Sequence, residues 1–156
     1  MEEFVIVPPA GVALPGSFEV KIRVRSSHTN GVLAVIEETL VTKAFVTPHV
    51  HRNDVWVYVL TGEIGVLVGD DIATAHAGEW ALKPRDLQHA MWNSSEEPAR
   101  IVEVLTPGGT EAWFVELAAL ERGDRDGFDR ACARHGIEFL PDSPWTSTLR
   151  DRFGLS

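Results

Sequence analysis

The region up to about Leu105 has the pattern of short β-strands separated by turns, some with alternating apolar and polar positions and some apolar on both faces. From Phe18 to Arg25 every second residue is apolar and those between are charged, which is typical of a strand with one buried face. Further strands are predicted over Val32–Ile36, Thr39–Val46, Val55–Leu60, Ile64–Val68, Trp80–Leu82, Gln88–Trp92 and Arg100–Leu105. Turn signals separate them, among them Asn30-Gly31 and Gly69-Asp70-Asp71. Many short strands at regular spacing predict an all-β sandwich or barrel.

The hydrophobic period changes to that of a helix after residue 109. Thr110 is a residue type that often begins a helix, and Trp113, Leu117 and Leu120 follow at helical spacing. Further helices are predicted over Asp124–His135, ended by Gly136, and over Leu149–Phe153. Helices this short cannot build a core of their own, so residues 110–156 are predicted to pack on the barrel of residues 1–109 within one domain.

The composition indicates which classes of binding partner and which cellular compartment to expect. The net charge of −9 opposes binding to phosphate backbones, and no apolar run is long enough to span a bilayer, so neither nucleic acid nor membrane is an expected partner. The chain begins with the acidic Met1-Glu2-Glu3, unlike a secretory signal. The single cysteine, Cys132, cannot form an internal disulfide. A cytoplasmic location is therefore expected.

Three histidines could converge on one metal ion. His49 and His51 are two residues apart on a predicted strand, so their imidazoles point to the same side. His89 would join them if its own strand also faces the barrel interior. Neutral imidazole suits zinc, iron, copper, nickel and, less well, manganese. Three protein ligands leave positions for water or substrate, which is typical of a catalytic site.

The alternative is that these histidines are ordinary core residues held by hydrogen bonds. An isolated histidine on a strand is weak evidence of a ligand, and motif matches carry a risk of false positives. The agreement of two separate motifs favours metal binding for His49, His51 and His89. The other histidines, His28, His76 and His135, fall in turns or at a helix end and are interpreted as solvent-facing or capping residues.

The two motifs resemble the signature motifs of the cupin superfamily. The first runs from Pro48 to Glu63 and the second from Gly78 to Asn93. The wider chain is similar to bacterial single-domain cupins often called quercetin-dioxygenase-like. The resemblance implies a cupin-type double-stranded β-helix, that is a jelly-roll barrel, with C-terminal helices. It also implies one divalent transition metal held by the three histidines and, commonly, a homodimer. It implies no substrate, because this fold hosts many functions.

The first motif departs from the family at one ligand. Val55 stands where the family has a glutamate that usually binds the metal as a fourth ligand and that, in flavonol dioxygenases, is also thought to act as a base. Asp54 is adjacent, and it could be a catalytic carboxylate only if a bulge or turn rotates it inward. Glu37 and Glu103 lie inside apolar strands and are interpreted as outward-facing. The charges of the turn Lys83–Asp86 are interpreted as solvated.

Strand alternation predicts a mostly apolar pocket beside the histidines. The residues predicted to line it are Phe45, Val55, Val57 and Met91. Such a pocket suits a small aromatic or polyketide-like ligand, although ordinary core packing would give the same pattern. Trp56, Tyr58 and Leu60 fall on the opposite, outer face. That face needs a cover, either the C-terminal helices or a second subunit, and a homodimer is the preferred interpretation.

Three functions remain open at this level. The leading hypothesis is an oxygenase acting on a small aromatic or polyketide-type molecule. The second is a zinc-dependent cyclase or isomerase, which needs no redox change. The third is a ligand-binding module without turnover, in which loss of the glutamate has weakened the metal site. The sequence does not decide among them.

Overall fold

The structure, a computed structural model, describes residues 10–13 and 18–156, so the acidic Met1-Glu2-Glu3 lies outside the described residues. The strands are β1 Ala10–Ala13, β2 Phe18–Val24, β3 Ala34–Leu40, β4 Phe45–His51, β5 Asp54–Thr61, β6 Glu63–Val68, β7 Asp71–His76, β8 Trp80–Lys83, β9 His89–Trp92, β10 Ala99–Thr106 and β11 Ile137–Phe139. The helices are α1 Glu111–Ala118, α2 Arg125–His135 and α3 Pro144–Phe153, and a short 3₁₀ turn covers Ser26–Thr29.

The strands form two antiparallel sheets that enclose the core. The six-stranded sheet has the order β1-β2-β3-β10-β5-β8, and the five-stranded sheet has the order β11-β4-β9-β6-β7. Buried apolar side chains from both sheets meet in one cluster, such as Ile36 and Val57 from the first and Ile64 and Met91 from the second. The predicted jelly-roll barrel with C-terminal helices is therefore confirmed.

The sequence analysis divided one strand wrongly and missed three others. The sequence analysis predicted two strands, Val32–Ile36 and Thr39–Val46, with a break between them, but strand β3 runs through that break. The chain then turns through Lys43, which has a positive φ of 63°, before β4 begins. The predictions also missed β1, β7 and β11. Most of β7 is exposed, so it lacks the buried face that produces a hydrophobic period, and β11 has only three residues.

The C-terminal segment contributes a strand to the barrel as well as helices that pack on it. Helix α2 ends as predicted at Gly136, which has a φ of 66°. Strand β11 follows at once and pairs antiparallel with β4, so residues after 110 contribute a strand to the five-stranded sheet. Helix α3 is longer than the single turn predicted, and its N-terminus is capped by the Ser143 side chain.

The outer face of the six-stranded sheet keeps large aromatic side chains in contact with solvent. Trp56 and Trp80 are exposed by 45% and 57%. Helix α3 instead packs on the five-stranded sheet, where Leu149 joins a cluster with Leu67 and Trp92. The homodimer expected at the first face stays a prediction. In the part of the chain that the structure describes, the helices are too short or too polar to cross a membrane.

Candidate metal centre

The fold brings the three predicted histidines together. Strands β4 and β9 are neighbours in the five-stranded sheet, and His49 lies opposite His89 in their register. All three side chains are buried, and their ligand atoms lie within 4.8 Å of one another. The Nε2 atoms of His49 and His89 are 3.1 Å apart. The alternation rule that placed His49 and His51 on one face is therefore confirmed.

Backbone hydrogen bonds fix the protonation of all three rings. Each Nδ1 lies within hydrogen-bond distance of a carbonyl oxygen close to it in sequence: 2.8 Å for His49 and Thr47, 2.7 Å for His51 and Asn53, and 2.8 Å for His89 and Leu87. A carbonyl oxygen can only accept a hydrogen bond, so each Nδ1 carries the ring proton. Each Nε2 then presents a lone pair to the centre of the cluster, which is the arrangement that metal-binding histidines use.

The histidines fit a metal ion better than they fit one another. The Nε2 atom of His51 is buried and has no hydrogen-bond partner among the described residues. The Nε2 atoms of His49 and His89 face each other with two lone pairs and no proton between them. Burial, helped by the charge of Lys83, lowers the pKa of His49 to about 3 and that of His51 to about 4. Burial also lowers the pKa of His89. The rings are thus neutral at pH 7, the form that binds a divalent transition metal.

Neither Val55 nor Asp54 supplies a carboxylate to the histidine cluster. Val55 faces the cavity and is 2% exposed, so an apolar side chain stands where the motif that this chain resembles has a glutamate. Asp54, the candidate catalytic carboxylate, is not among the residues that line the cavity. Its carboxylate accepts hydrogen bonds from the backbone N–H of Arg85 at 2.9 Å and from the Arg85 guanidinium at 2.7 Å. No bulge interrupts the pairing of β5 with β10 at this point, so Asp54 keeps the orientation opposite to Val55.

A cavity of about 300 Å³ opens beside the histidines. Phe45, Val55 and Met91 line it as predicted. Val57 does not line it: this side chain is fully buried in the core beneath the wall. The opposite wall comes from α1, α2 and β11 and contains Trp113, Phe114, Leu117, Phe128 and Phe139. The sequence indicated the helical spacing of Trp113 and Leu117, but not that these side chains cover a ligand cavity.

The same cavity has a charged wall that the sequence analysis missed. Lys83, Glu103 and Glu38 all line it, at 4%, 4% and 5% exposure. The interpretations of Glu103 as outward-facing and of Lys83 as solvated were therefore wrong. Glu103 shares the inward face of β10 with Ile101 and Leu105, and strand β8 extends far enough to carry Lys83 inward. The Lys83 ammonium donates a short hydrogen bond to Glu103.

Two adjacent glutamates of β3 have opposite environments. Glu37 lies on the outer face, where its carboxylate binds Arg23 and Arg100, and the outward-facing prediction is confirmed for this residue. The hydrogen bond from Arg100 and the contacts with Arg23 hold the pKa of Glu37 below its usual value. Burial, reinforced by the negative charge of Glu103, raises the pKa of Glu38 to about 8. Glu38 is therefore a neutral acid at pH 7.

Comparisons with known proteins agree with this geometry. The family model described as "Cupin domain" matches residues 37–105, which contain the three histidines and the charged wall. An RmlC-like cupin from Shewanella frigidimarina has a TM-score of 0.61 at 18% identity, with 72% of this chain and 96% of that chain covered. No curated protein matches the sequence.

Two further solved structures share the fold. KdgF from Halomonas sp. has a TM-score of 0.58 at 18% identity, over 65% of this chain and 91% of that chain. The polyketide cyclase RemF from Streptomyces resistomycificus has a TM-score of 0.56 at 19% identity, over 68% of this chain and 79% of that chain. At these identities the likeness shows the fold alone. The matched domain and these structures together show that residues 37–105 of this chain contain a cupin domain and that its strands have the cupin-type double-stranded β-helix fold.

Proposed function

We propose that this protein is a metal-dependent enzyme that converts a small aromatic or polyketide-type molecule inside the barrel. The observation that carries the proposal is the set of three buried Nε2 lone pairs beside a mostly apolar cavity. A volume of about 300 Å³ is at the lower end of the range of ligand pockets, so the cavity suits one small ligand.

His49, His51 and His89 would hold the ion. Once bound, a divalent metal with three protein ligands keeps positions for water or substrate and acts as a Lewis acid. The other residues have separate tasks. The aromatic side chains of α1, α2 and β11 would hold the ring system of the ligand and exclude water from it. The backbone carbonyls bonded to each Nδ1 keep the three rings oriented.

Within this proposal a cyclase or isomerase ranks first. The specific support is the presence of Glu38, Glu103 and Lys83 in the cavity, because these groups can move protons without any change of oxidation state. The cupin fold can host such a reaction, since one of the similar structures is described as a polyketide cyclase. The oxygenase is the second candidate, supported by the positions that three histidines leave open around an ion.

Elemental analysis of untagged protein, purified without added metal, tests the proposal. We expect near-stoichiometric divalent transition metal in the wild type and none in His89→Ala. His76→Ala is the matched control, because the side chain of His76 is 61% exposed and lies outside the cluster. Zinc without oxygen uptake would support the cyclase or isomerase, whereas a redox-active metal with oxygen uptake on an aromatic substrate would support the oxygenase. A folded protein that binds no metal on titration would refute the proposal and would favour a ligand-binding module without turnover.

A further inference from the structure

Three ionisable side chains lie together on the wall of the six-stranded sheet. Glu38 pairs with Ile101 and Glu103 pairs with Ile36, so the two carboxyl groups occupy diagonal positions on adjacent strands, within reach of each other. The side chain of Lys83 reaches across β5 to donate to Glu103. His49 and His51 line the same cavity as these three groups, so the charged wall and the histidine cluster share one cavity.

These three groups contribute little to the stability of the core, which indicates a role in binding a ligand. Burying a charged pair in an apolar interior is often no better for stability than apolar residues of the same volume. The carboxyl of Glu38 destabilises the folded protein further, because burying a polar group without a hydrogen bond costs free energy. Among the described residues no side chain or backbone group hydrogen-bonds to this carboxyl, although Glu38 is 5% exposed and lines the cavity.

We propose that Glu38, Glu103 and Lys83 form a second polar site that binds the carbonyl or enol oxygen of the ligand and exchanges a proton with it. The three groups offer different functions. Protonated Glu38 and the Lys83 ammonium are hydrogen-bond donors, and the Glu103 carboxylate is an acceptor. Two donors and one acceptor on an otherwise apolar wall match a cyclic ketone or its enol, joined to a ring system that the aromatic wall would hold.

The proton exchange needs no oxidant or reductant. The Glu103 carboxylate takes a proton from the carbon next to the carbonyl, and the electron pair of that C–H bond becomes a carbon–carbon double bond. The carbonyl π pair becomes an O–H bond with the proton given by Glu38. The ligand changes from ketone to enol, Glu103 ends protonated and Glu38 ends ionised. The total charge of the site stays constant, and a proton passed back between the two carboxyl groups restores the starting state.

The inference deepens the proposed function, because it assigns an oxygen-bearing ligand to the same cavity. Its test uses 2-tetralone, a bicyclic ketone, and tetralin, the corresponding hydrocarbon. We expect the wild type to bind 2-tetralone at least tenfold more tightly than tetralin and Glu38→Leu and Lys83→Met, which remove a hydrogen-bond donor, to lose most of that preference. Glu37→Gln, which changes the neighbouring carboxyl on the outer face, should keep it. Glu38→Leu is the decisive variant if Lys83→Met does not fold.

A second readout follows the proton itself. In D₂O the wild type should exchange the α-hydrogens of 2-tetralone at least tenfold faster than buffer, as measured by NMR, and Glu38→Gln and Glu103→Gln should lose that acceleration. Equal binding of the two probes, no binding of either, or unchanged exchange in the variants would overturn the inference. Both measurements are repeated on His89→Ala: a preference for the ketone that survives loss of the metal supports the second site even where the proposed metal function fails.

Discussion

Replacing Glu38 with glutamine should stabilise the protein, and the gain should grow with pH. The pKa of this carboxyl rises from an ordinary value of 4.5 to about 8 on folding. Above pH 4.5 the unfolded chain releases a proton that the folded protein must keep, so the wild type loses stability as the pH rises toward 8. One pH unit corresponds to about 1.4 kcal/mol, so the penalty at pH 7 is about 3 kcal/mol. Glutamine has nearly the same shape and does not titrate.

Urea unfolding at several pH values between 5 and 7 measures this effect. The free energy of unfolding of Glu38→Gln should exceed that of the wild type by about 1 kcal/mol at pH 5 and by about 3 kcal/mol at pH 7. Glu37→Gln is the control with the opposite sign. Its carboxylate has a lowered pKa beside Arg100 and Arg23, so this variant should lose stability by a nearly constant amount from pH 5 to pH 7, and the loss should shrink only below pH 4.5. A difference between Glu38→Gln and the wild type that stays constant from pH 5 to pH 7 would refute the assignment of Glu38 as a buried neutral acid.

Three further substitutions test the site and its support. His89→Ala should abolish metal binding while circular dichroism stays that of the folded barrel, and retained metal would argue against the three-histidine site. Val55→Glu should tighten metal binding, measured by competition with a chelator, because it restores a carboxylate at a buried position on the cavity wall; unchanged affinity would mean that this side chain does not reach the ion. Gly65→Ala should destabilise the protein by about 1–3 kcal/mol or more in urea unfolding, because a Cβ at this position would lie 2.0 Å from the ring of Trp92. A neutral result would show that Trp92 can move aside.

The sequence predicted the barrel and the histidine cluster because both depend on a period of two. Alternation along a strand is a local property, so it fixes which residues share a face without knowledge of the partner strand. His49 and His51 needed only that rule, and the motif resemblance supplied His89. The same rule, applied strictly, also places Asp54 away from the cavity, as the structure shows. The proposal of Asp54 relied on an exception to alternation that does not occur.

Glu103 shows where the reasoning from sequence failed. Its parity on β10 matches that of Ile101 and Leu105, both buried in the core, yet its charge favoured an outward interpretation. What makes the inward position tolerable is Lys83, a partner 20 residues away that reaches it from another strand. No spacing rule connects these two residues. The C-terminal aromatic wall was missed for a related reason, because a helical stripe indicates a buried face but not what that face covers.

The pairing of β11 with β4 has a consequence for how this protein can be divided or recombined. Phe139 lies opposite His49 in that ladder, and Ile137 lies opposite His51, so the tail of the chain is the backbone neighbour of two candidate metal ligands. The same tail supplies the aromatic wall of the cavity. A fragment cut after residue 109 would therefore lose its ligand wall and leave the histidine strand at a sheet edge. Replacing the C-terminal segment after residue 109 to change ligand preference would disturb the metal centre as well, so ligand preference and metal binding would change together.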